Sequence, residues 1–299
     1  MRSGKPRIAI ATCAEYEELK VDDRLLGEAL EARGAEALPV VWDREEPAWE
    51  ELDLCLVRST WDYHDSHPEF IAWARRVAQA TALHNPAELI AWNSEKAYLR
   101  ELAEAGVPTV PTVWIDRGED ADIEEILARE GWDEAVIKPT VDLGAKNLHR
   151  VQAGKGEAAE ALASVLSRQA AMAQPFLPSL EKEGELSLIY IDGTFSHAVR
   201  KHPAPGDFRV QSIWGGTVES ATPTPDHLAI ADRALAHLND PPLYARVDLV
   251  NDLTGNPALI ELELIEPNLY LTTHPSAAER LAEAALLRVD VDSDRDVLQ

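Results

Sequence analysis

Three acidic residues near the end of the chain, Asp248, Glu261 and Glu263, stand at a spacing that could bind a metal ion. They lie in two runs of alternating apolar and polar residues joined by the turn-forming segment 251–257, which predicts a hairpin of half-buried strands. Period two places the two glutamates on one face, and a turn centred near Thr254 brings Asp248 opposite that part of the second strand. Close carboxylates repel one another, and Mg²⁺ relieves the repulsion while it also binds substrate phosphates. The hairpin therefore indicates a metal–nucleotide site, and the alternative is a solvated acidic sheet face.

Two lysines upstream of the hairpin could bind phosphate. Lys138 ends an apolar strand, where a buried lysine costs free energy unless it meets an anion. Lys96 falls in the first turn of a helix predicted over residues 95–105 and capped by Ser94, where a cation opposes the helix dipole. This placement favours a phosphate partner, although an ordinary surface lysine would look the same. Residues 140–146 contain one glycine, a weak phosphate-loop pattern that matches neither established glycine motif.

The densest basic stretch of the chain comprises Arg200, Lys201, His202 and Arg209. Prolines and a glycine in residues 203–206 predict a loop at this place. Such a loop, facing the acidic hairpin, could clamp a phosphate between its cations and a metal ion. The alternative is a surface loop whose charges balance their neighbours.

A polar segment, residues 58–64, follows the third predicted strand. Ligands of open α/β sheets bind beyond the carboxyl ends of the strands, so Arg58 could meet the carboxylate of a substrate. The alternative is an ion pair between Arg58 and Asp62 that stabilises the loop.

Bulk properties exclude several classes of partner. The chain has 299 residues and a formal net charge of −25, which argues against nucleic acid or an anionic membrane. No apolar run reaches membrane-spanning length and no basic-then-apolar leader opens the chain, so we expect a cytoplasmic protein.

Cys13 and Cys55 fall at opposite ends of predicted strands, and we expect two buried thiols rather than a disulfide. The sequence leaves the oligomeric state open, with a homodimer as one candidate.

The order of predicted elements gives the fold class, which is α/β in the first part of the chain and α+β after it. Alternating strands and helices predict a small doubly wound domain over residues 1–92, from elements at 7–12, 22–33, 37–41, 54–57 and 67–80. We divide the remainder into segments 93–175 and 176–299. The strands predicted there are 113–115, 135–139, 147–151, 172–174, 185–191 and 194–201, and the helices are 95–105, 122–129, 157–169, 228–238 and 277–287.

In this order the motifs resemble the ATP-grasp superfamily. That family has a helix lysine, a strand lysine before a flexible loop, a hinge strand that holds adenine, and an acidic metal site on paired strands. The matching residues are, in chain order, Lys96, Lys138, loop 140–146, hinge 174–177, Gly184-Glu185, and Asp248 with Glu261 and Glu263. The resemblance extends from about residue 94 to residue 275. It implies an ATP-grasp fold with a preceding domain in 1–92, a small lid subdomain in 93–175, and the metal site in 176–299.

The resemblance also implies roles for individual residues. Lys96 and Lys138 would contact the phosphates of ATP, and Glu185 would bind the ribose hydroxyls. The main chain of the hinge would hold adenine, through Gln174, Phe176 and Leu177. Mg²⁺, or Mn²⁺ in its place, would be held by Asp248, Glu261 and Glu263. The γ-phosphate or an acyl-phosphate would be steadied by Lys201 and Arg209.

Two departures from the family pattern concern these roles. The metal strand of the family usually reads Glu-x-Asn, whereas here Glu263 stands in place of the amide. Asn268, downstream, is a candidate to replace that amide or to contact the substrate. The phosphate loop is poor in glycine, which leaves its mobility open.

The resemblance implies an ATP-dependent carbon–nitrogen ligase. A substrate carboxylate would attack the γ-phosphate, and a nitrogen would then take the acyl-phosphate, with His202 as a candidate general base. Segments 58–63 and 261–268 look similar to a cyclo-ligase branch, in which the nitrogen belongs to the same small, amino-acid-like molecule. An intermolecular amino-acid or peptide ligase and a non-catalytic nucleotide-binding protein are the alternatives.

Overall fold

The computed structural model describes residues 4–44, 47–274 and 276–296, and these residues form three β-sheets. The sheets fall within the segments 1–92, 93–175 and 176–299, whose boundaries stay predictions. None of the described helices combines the length and the apolar character that crossing a membrane requires. Cys13 and Cys55 are buried free thiols, as predicted.

The first sheet is parallel, and its strands lie in the order β2-β1-β3-β4. In chain order they are β1 (Arg7–Thr12), β2 (Glu36–Val41), β3 (Leu54–Ser59) and β4 (Ala82–His84). Helix α1 (Val21–Ala32) packs on the face that contains Ile8, and helix α2 (His67–Ala80) packs on the face that contains Ala9. Neighbouring residues of a strand point to opposite faces, so helices cover both sides of the sheet. The predicted doubly wound domain is confirmed.

The connection to the next sheet differs from the prediction. Strand β4 and helix α3 (Ala87–Asn93) were not expected, because both are short and Pro86 suggested a domain end. Ser94 is the C-terminal cap of α3 rather than the N-terminal cap of the next helix, α4 (Tyr98–Glu104). Lys96 therefore lies in a turn between the two helices, and the predicted position in a first helical turn is wrong.

The second sheet is antiparallel, with strand order β5-β8-β6-β7. Its strands are β5 (Val113–Ile115), β6 (Glu134–Pro139), β7 (His149–Gln152) and β8 (Ala171–Pro175). Helices α5 (Ile123–Glu130) and α6 (Glu157–Leu166) pack on the face that contains Ile137. Because side chains alternate along a strand, Lys138 points away from these helices.

The third sheet is also antiparallel, with strand order β11-β10-β9-β12-β13. Its strands are β9 (Glu185–Ile191), β10 (Thr194–His202), β11 (Thr217–Ala221), β12 (Tyr244–Asn251) and β13 (Pro257–Glu263). The helices of this part are α7 (Pro178–Glu183), α8 (Pro225–Leu235) and α9 (Ala277–Asp296). The predicted Asp-Gly turn joins β9 to β10, with positive φ at Asp192 and Gly193.

Helix α9 connects the first and third sheets. It packs against α1, and Leu281 of α9 shares one hydrophobic core with Ile8 of β1 and Ile189 of β9. This shared core holds the third sheet against the first. The larger of the cavities described below is lined in part by residues that follow β1 and β3.

Candidate active site

Two adjoining cavities lie where the three sheets meet. The larger has a volume of about 350 Å³ and is lined by residues from all three parts of the chain, among them Tyr63, Lys138 and Glu261. The smaller has a volume of about 70 Å³. Lys138 and Glu261 line both, so the two cavities adjoin at these side chains, and together they are called the cleft below.

The acidic residues of the predicted hairpin cluster beside this cleft, where Glu261 and Glu263 line the larger cavity, whereas Asp248 is 1% exposed and lines neither cavity. In the β12–β13 ladder Asp248 lies opposite Glu261, as the sequence pattern predicts. One carboxylate oxygen from each of Asp248, Glu261 and Glu263 lies within 4.8 Å of the others. A compact set of carboxylate oxygens at the edge of a cavity suits a hard divalent cation, so the donor set fits Mg²⁺.

Two cations bridge the acidic residues on the side of Asp248. Arg246 contacts Asp248 at 2.9 Å and also pairs with Glu263. Lys201 contacts Asp248 at 3.2 Å and also pairs with Glu185. Although burial alone would raise it, the pKa of the Asp248 carboxyl is held well below its usual range by Arg246 and Lys201. Asp248 is therefore ionised throughout the physiological pH range.

The two glutamates of β13 have different environments. Burial tends to raise the pKa of Glu261, but the ammonium groups of Lys96 and Lys138 lower it. Burial raises the pKa of Glu263, and the nearby Glu261 and Asp248 raise it further, against the effect of Arg246. Burial therefore favours the protonated form of Glu263, and a divalent cation held beside it would favour the ionised form.

Lys138 and Lys96 bring positive charge to the floor of the cleft. Lys138 is 6% exposed, and among the described residues no carboxylate lies within ion-pair distance of its ammonium group. Burial lowers the pKa of Lys138 to about 8. Lys96 contacts Glu261 at 2.9 Å and donates to the main-chain oxygen of Asp142 at 3.0 Å. An anionic ligand in the cleft would contact both lysines. This arrangement agrees with the prediction from the sequence that Lys96 and Lys138 could bind phosphate.

The predicted phosphate loop borders the larger cavity. Its Gly144 carbonyl accepts a hydrogen bond of 2.9 Å from the indole of Trp214, which lies in the segment after β10. Leu143 and Lys146 of the loop line the cavity, and Ile213 lines it from the other side. The two segments thus close over the cleft from opposite sheets.

Hinge residues line the smaller cavity in part. Gln174, Leu177 and Glu185 border it. Phe176 does not, because its amide donates to the Glu134 carbonyl within the second sheet. The ring of Phe176 lies 3.4 Å from the guanidinium carbon of Arg150. The predicted contact between Phe176 and a cofactor is therefore not supported by its position.

Side chains of strand β10 alternate between the two faces of the sheet, so the residues of the predicted basic stretch do not all point the same way. Arg200, Lys201 and His202 belong to this strand and not to a loop. Lys201 points into the cleft, whereas His202 points to the opposite side and contacts Glu219 of β11 at 3.2 Å. His202 lines neither cavity, so its position does not support the predicted role in catalysis. Arg209 does follow in a loop, where it pairs with Asp207 at 2.7 Å and borders the smaller cavity.

Arg58 does not reach the cleft. Strand β3 extends to Ser59, so Arg58 lies within the sheet and is 2% exposed. Its Nε contacts Asp23 at 3.1 Å, and its Nη2 donates to the Pro267 carbonyl at 2.7 Å. Both sequence interpretations, a substrate ligand and an ion pair with Asp62, are wrong.

The segment after β13 contributes Glu266, which was not selected from the sequence, and Asn268, which was. Glu266 is 6% exposed and lines the larger cavity, as does the nearby Asn268. Burial raises the pKa of Glu266 to about 8, and its carboxyl shares a hydrogen bond with the Tyr63 hydroxyl. The indole of Trp61 donates to the main-chain oxygen of Glu266 at 3.0 Å.

Arg246 was also missed as a site residue, although its place two residues before Asp248 on the same strand face was a usable signal. For Glu266 no such signal existed, because its burial depends on the loop of the first domain.

Comparisons with known proteins extend over nearly the whole chain. Residues 8–85 match the N-terminal domain of D-cycloserine synthetase DcsG, and residues 98–267 match the ATP-grasp domain of prokaryotic glutathione synthetase. The cycloserine biosynthesis protein DcsG of Streptomyces lavendulae is 33% identical over 303 residues, which cover 94% of this chain and 98% of that protein. A glutathione synthetase of Prochlorococcus marinus (strain MIT 9313) is 33% identical over 147 residues, covering 48% of this chain and 44% of that protein.

Solved structures give the same result. The crystal structure of D-cycloserine synthetase DcsG matches with a TM-score of 0.86 and 32% identity, covering 95% of this chain and 99% of that one. The D-alanine–D-alanine ligase of Bacillus anthracis shares the fold, with a TM-score of 0.69, 13% identity, and coverage of 98% of this chain and 100% of that one. The fold predicted from the sequence is confirmed. The chain belongs to the ATP-grasp ligase family and carries an N-terminal domain of the D-cycloserine synthetase kind.

Proposed function

We propose that this protein is an ATP- and Mg²⁺-dependent cyclo-ligase that closes O-ureido-D-serine to D-cycloserine in antibiotic biosynthesis. ATP-grasp ligases use ATP and a divalent metal ion. The observation that carries the proposal is the acidic cluster of Asp248, Glu261 and Glu263, because two of its members, Glu261 and Glu263, line the same cavity as Lys138. The similarity to a cycloserine biosynthesis protein over 94% of the chain supports this choice of substrate.

The nucleotide would occupy the cleft along its length. Adenine would lie in the smaller cavity beside Gln174 and Leu177, with the ribose towards Glu185. The phosphates would then reach the larger cavity, where Lys138 and Lys96 supply positive charge. In this arrangement the buried ammonium of Lys138 gains the anionic partner that the described residues do not provide.

Mg²⁺ would be held by the carboxylates of Asp248, Glu261 and Glu263, and when bound it would neutralise charge on the phosphates. Arg246 and Lys201 keep Asp248 ionised and lie on the cavity wall. Both side chains are held in place by buried ion pairs, so they present fixed positive charge to the transferring phosphoryl group. Arg209, which borders the smaller cavity, would stabilise the charge of the transferring phosphoryl group from a longer distance.

The proposed reaction has two chemical steps. A substrate carboxylate oxygen attacks the γ-phosphorus of ATP, the bond to the bridging oxygen breaks, and ADP leaves. The ureido nitrogen that is bonded to the serine side-chain oxygen then attacks the acyl carbon, and phosphate leaves with the electron pair of the carbon–oxygen bond while the nitrogen loses its proton. D-cycloserine lacks the carbamoyl group of the substrate, so addition of water must remove that group as carbon dioxide and ammonia. Because the nucleophile is part of the substrate, proximity supplies much of the rate.

An assay of products tests the proposal. Protein, MgATP and O-ureido-D-serine should give ADP, phosphate and a product with the mass of D-cycloserine. A product whose mass includes a second amino acid would favour an intermolecular ligase, and the substrate would then have to be found by screening small amino acids. Binding of ATP without formation of ADP with any of these compounds would favour the non-catalytic alternative.

The depressed pKa of Lys138 predicts a pH dependence of nucleotide binding. Burial lowers this pKa from 10.5 to about 8, so Lys138 is charged below about pH 8 and neutral above it. Between these two pKa values the unfolded chain binds more protons than the folded one, so the contribution of Lys138 to folding stability increases as the pH rises. The attraction for phosphate decreases over the same range, because the ammonium group loses its charge. We expect the affinity for a non-hydrolysable ATP analogue to fall by up to about tenfold per pH unit above pH 8.

Calorimetric titration between about pH 7 and pH 10 measures this dependence. Lys138→Arg is the matched control, because a guanidinium stays protonated over that range and should remove the break near pH 8. The same break in the arginine variant would contradict the assignment to Lys138.

A further inference from the structure

One buried carboxylate of the larger cavity lacks a cationic partner. Asp248, Glu261 and Glu263 each contact a lysine or an arginine. Glu266 is 6% exposed, and within the described part of the chain no basic side chain lies at ion-pair distance from it. Its hydrogen-bond partner is the hydroxyl of Tyr63, which is itself buried. A buried carboxylate without a counter-ion is costly, so this position suits a cation that enters from the cavity.

The surroundings of Glu266 suit an ammonium group. The same cavity is lined by three aromatic residues, Tyr16, Trp61 and Tyr63. The rings of Tyr16 and Trp61 are arranged edge to face, with 5.4 Å between their centroids. The ammonium of Lys20 lies 4.4 Å from the centroid of each of these two rings. Aromatic faces attract ammonium groups, and this wall therefore already binds one at its rim.

Glu266 also lies close to the place where the substrate carboxylate would react. Lys96, Glu261 and Glu263 line the same cavity as Glu266, and their charges act on its carboxyl. In an α-amino acid the ammonium and the carboxylate are bonded to the same carbon. A single amino acid can therefore place its carboxylate at the phosphate end of the cavity and its ammonium at Glu266.

The backbone that presents Glu266 is held by the first domain. Trp61 donates to the Glu266 carbonyl at 3.0 Å, and Arg58 donates to the Pro267 carbonyl at 2.7 Å. With its backbone fixed and its carboxyl bonded to Tyr63, the side chain of Glu266 is positioned before any ligand arrives.

We propose that Glu266 is the counter-ion of the α-ammonium group of the amino-acid substrate and that Tyr63 is a positioning residue that orients the Glu266 carboxylate. This inference rests on the proposed function and deepens it, since it assigns a specificity determinant for an α-amino acid. The ureido group, which carries no charge, would lie elsewhere in the cavity.

The proposal is tested by comparing the wild-type enzyme and the Glu266→Gln variant, each with two ligands. The ligands are O-ureido-D-serine and its des-amino analogue, which keeps the carboxylate and the ureido group and can still close a ring. We expect wild-type kcat/KM to be at least about 100-fold lower for the analogue, because a buried charge pair is lost. Glu266→Gln should lose about 100-fold with the true substrate and stay within about threefold of wild type with the analogue. Tyr63→Phe should reduce the preference, defined as the ratio of kcat/KM for O-ureido-D-serine to that for the analogue, by about tenfold.

Two controls keep the result interpretable. Binding of a non-hydrolysable ATP analogue by Glu266→Gln should equal that of wild type, which shows that the variant folds. Asp65→Asn removes a charge from the same loop as Tyr63, but at a side chain that is 80% exposed, and it should leave the preference unchanged.

Each outcome decides the question. Equal losses with both ligands, or a preserved preference in Glu266→Gln, would overturn the assignment while leaving the proposed function intact. Absence of ADP formation by the wild-type protein with O-ureido-D-serine would overturn the proposed function and this assignment together.

Discussion

Replacement of Glu261 by glutamine is expected to reduce ADP formation at least about 1000-fold, which corresponds to about 4 kcal/mol of lost transition-state stabilisation. The amide has the shape of the carboxylate but not its charge, so it is a poor ligand for a divalent cation. Glu261 also balances the positive charge of Lys96, which it contacts at 2.9 Å, and it borders both cavities. The variant should therefore lose metal binding and phosphate positioning together.

Turnover is measured as ADP release at saturating ATP, and titration with Mn²⁺, followed by its paramagnetic resonance signal, reports metal binding independently of turnover. Glu219→Gln is a matched control, because Glu219 is 67% exposed and lies on the edge strand β11. A Glu261→Gln protein that keeps wild-type turnover would show that the metal site has been assigned to the wrong residues.

Replacement of Arg58 by methionine is expected to lower the free energy of unfolding by about 3–5 kcal/mol, because it leaves the buried carboxylate of Asp23 without its counter-ion. Asp23 is 1% exposed, and its second oxygen accepts a hydrogen bond from the Ser59 hydroxyl. The substitution also removes the hydrogen bond to the Pro267 carbonyl. We therefore expect a weaker substrate interaction in addition to lower stability.

Urea unfolding followed by tryptophan fluorescence gives the free energy. The double variant Arg58→Met with Asp23→Asn should be more stable than the sum of the two single changes predicts, because no unpaired charge remains. Strict additivity of the two changes would mean that the ion pair contributes little to stability, and it would contradict this prediction.

Features that depend on local pattern could be predicted from the sequence. The alternation in β12 and β13 and the length of the turn between them determine which residues face each other, and this gave the pairing of Asp248 with Glu261. The Asp192-Gly193 turn was predicted for the same reason, since its positive φ angles favour these residue types. Short elements such as β4 carry too few residues for a periodic signal.

Features that depend on tertiary contacts could not be predicted. Arg58 was assigned to the substrate because β3 was expected to end at residue 57, and its partner Asp23 lies on a different element. His202 and Lys201 were grouped as one basic loop, whereas the strand directs them to opposite faces. Glu266 acquires its environment from Tyr63, a residue about 200 positions earlier in the chain.

The junction between the first domain and the segment after β13 is made through main-chain oxygens. Arg58 and Trp61 bind the carbonyls of Pro267 and Glu266, which any amino acid would offer at those positions. A different residue at position 266 would thus alter what the cavity recognises without disturbing the backbone that presents it. Under the proposed function, an architecture of this kind would allow substrate preference to change during evolution while the residues proposed for phosphoryl transfer stay unchanged, and position 266 would be a favourable starting point for redesign.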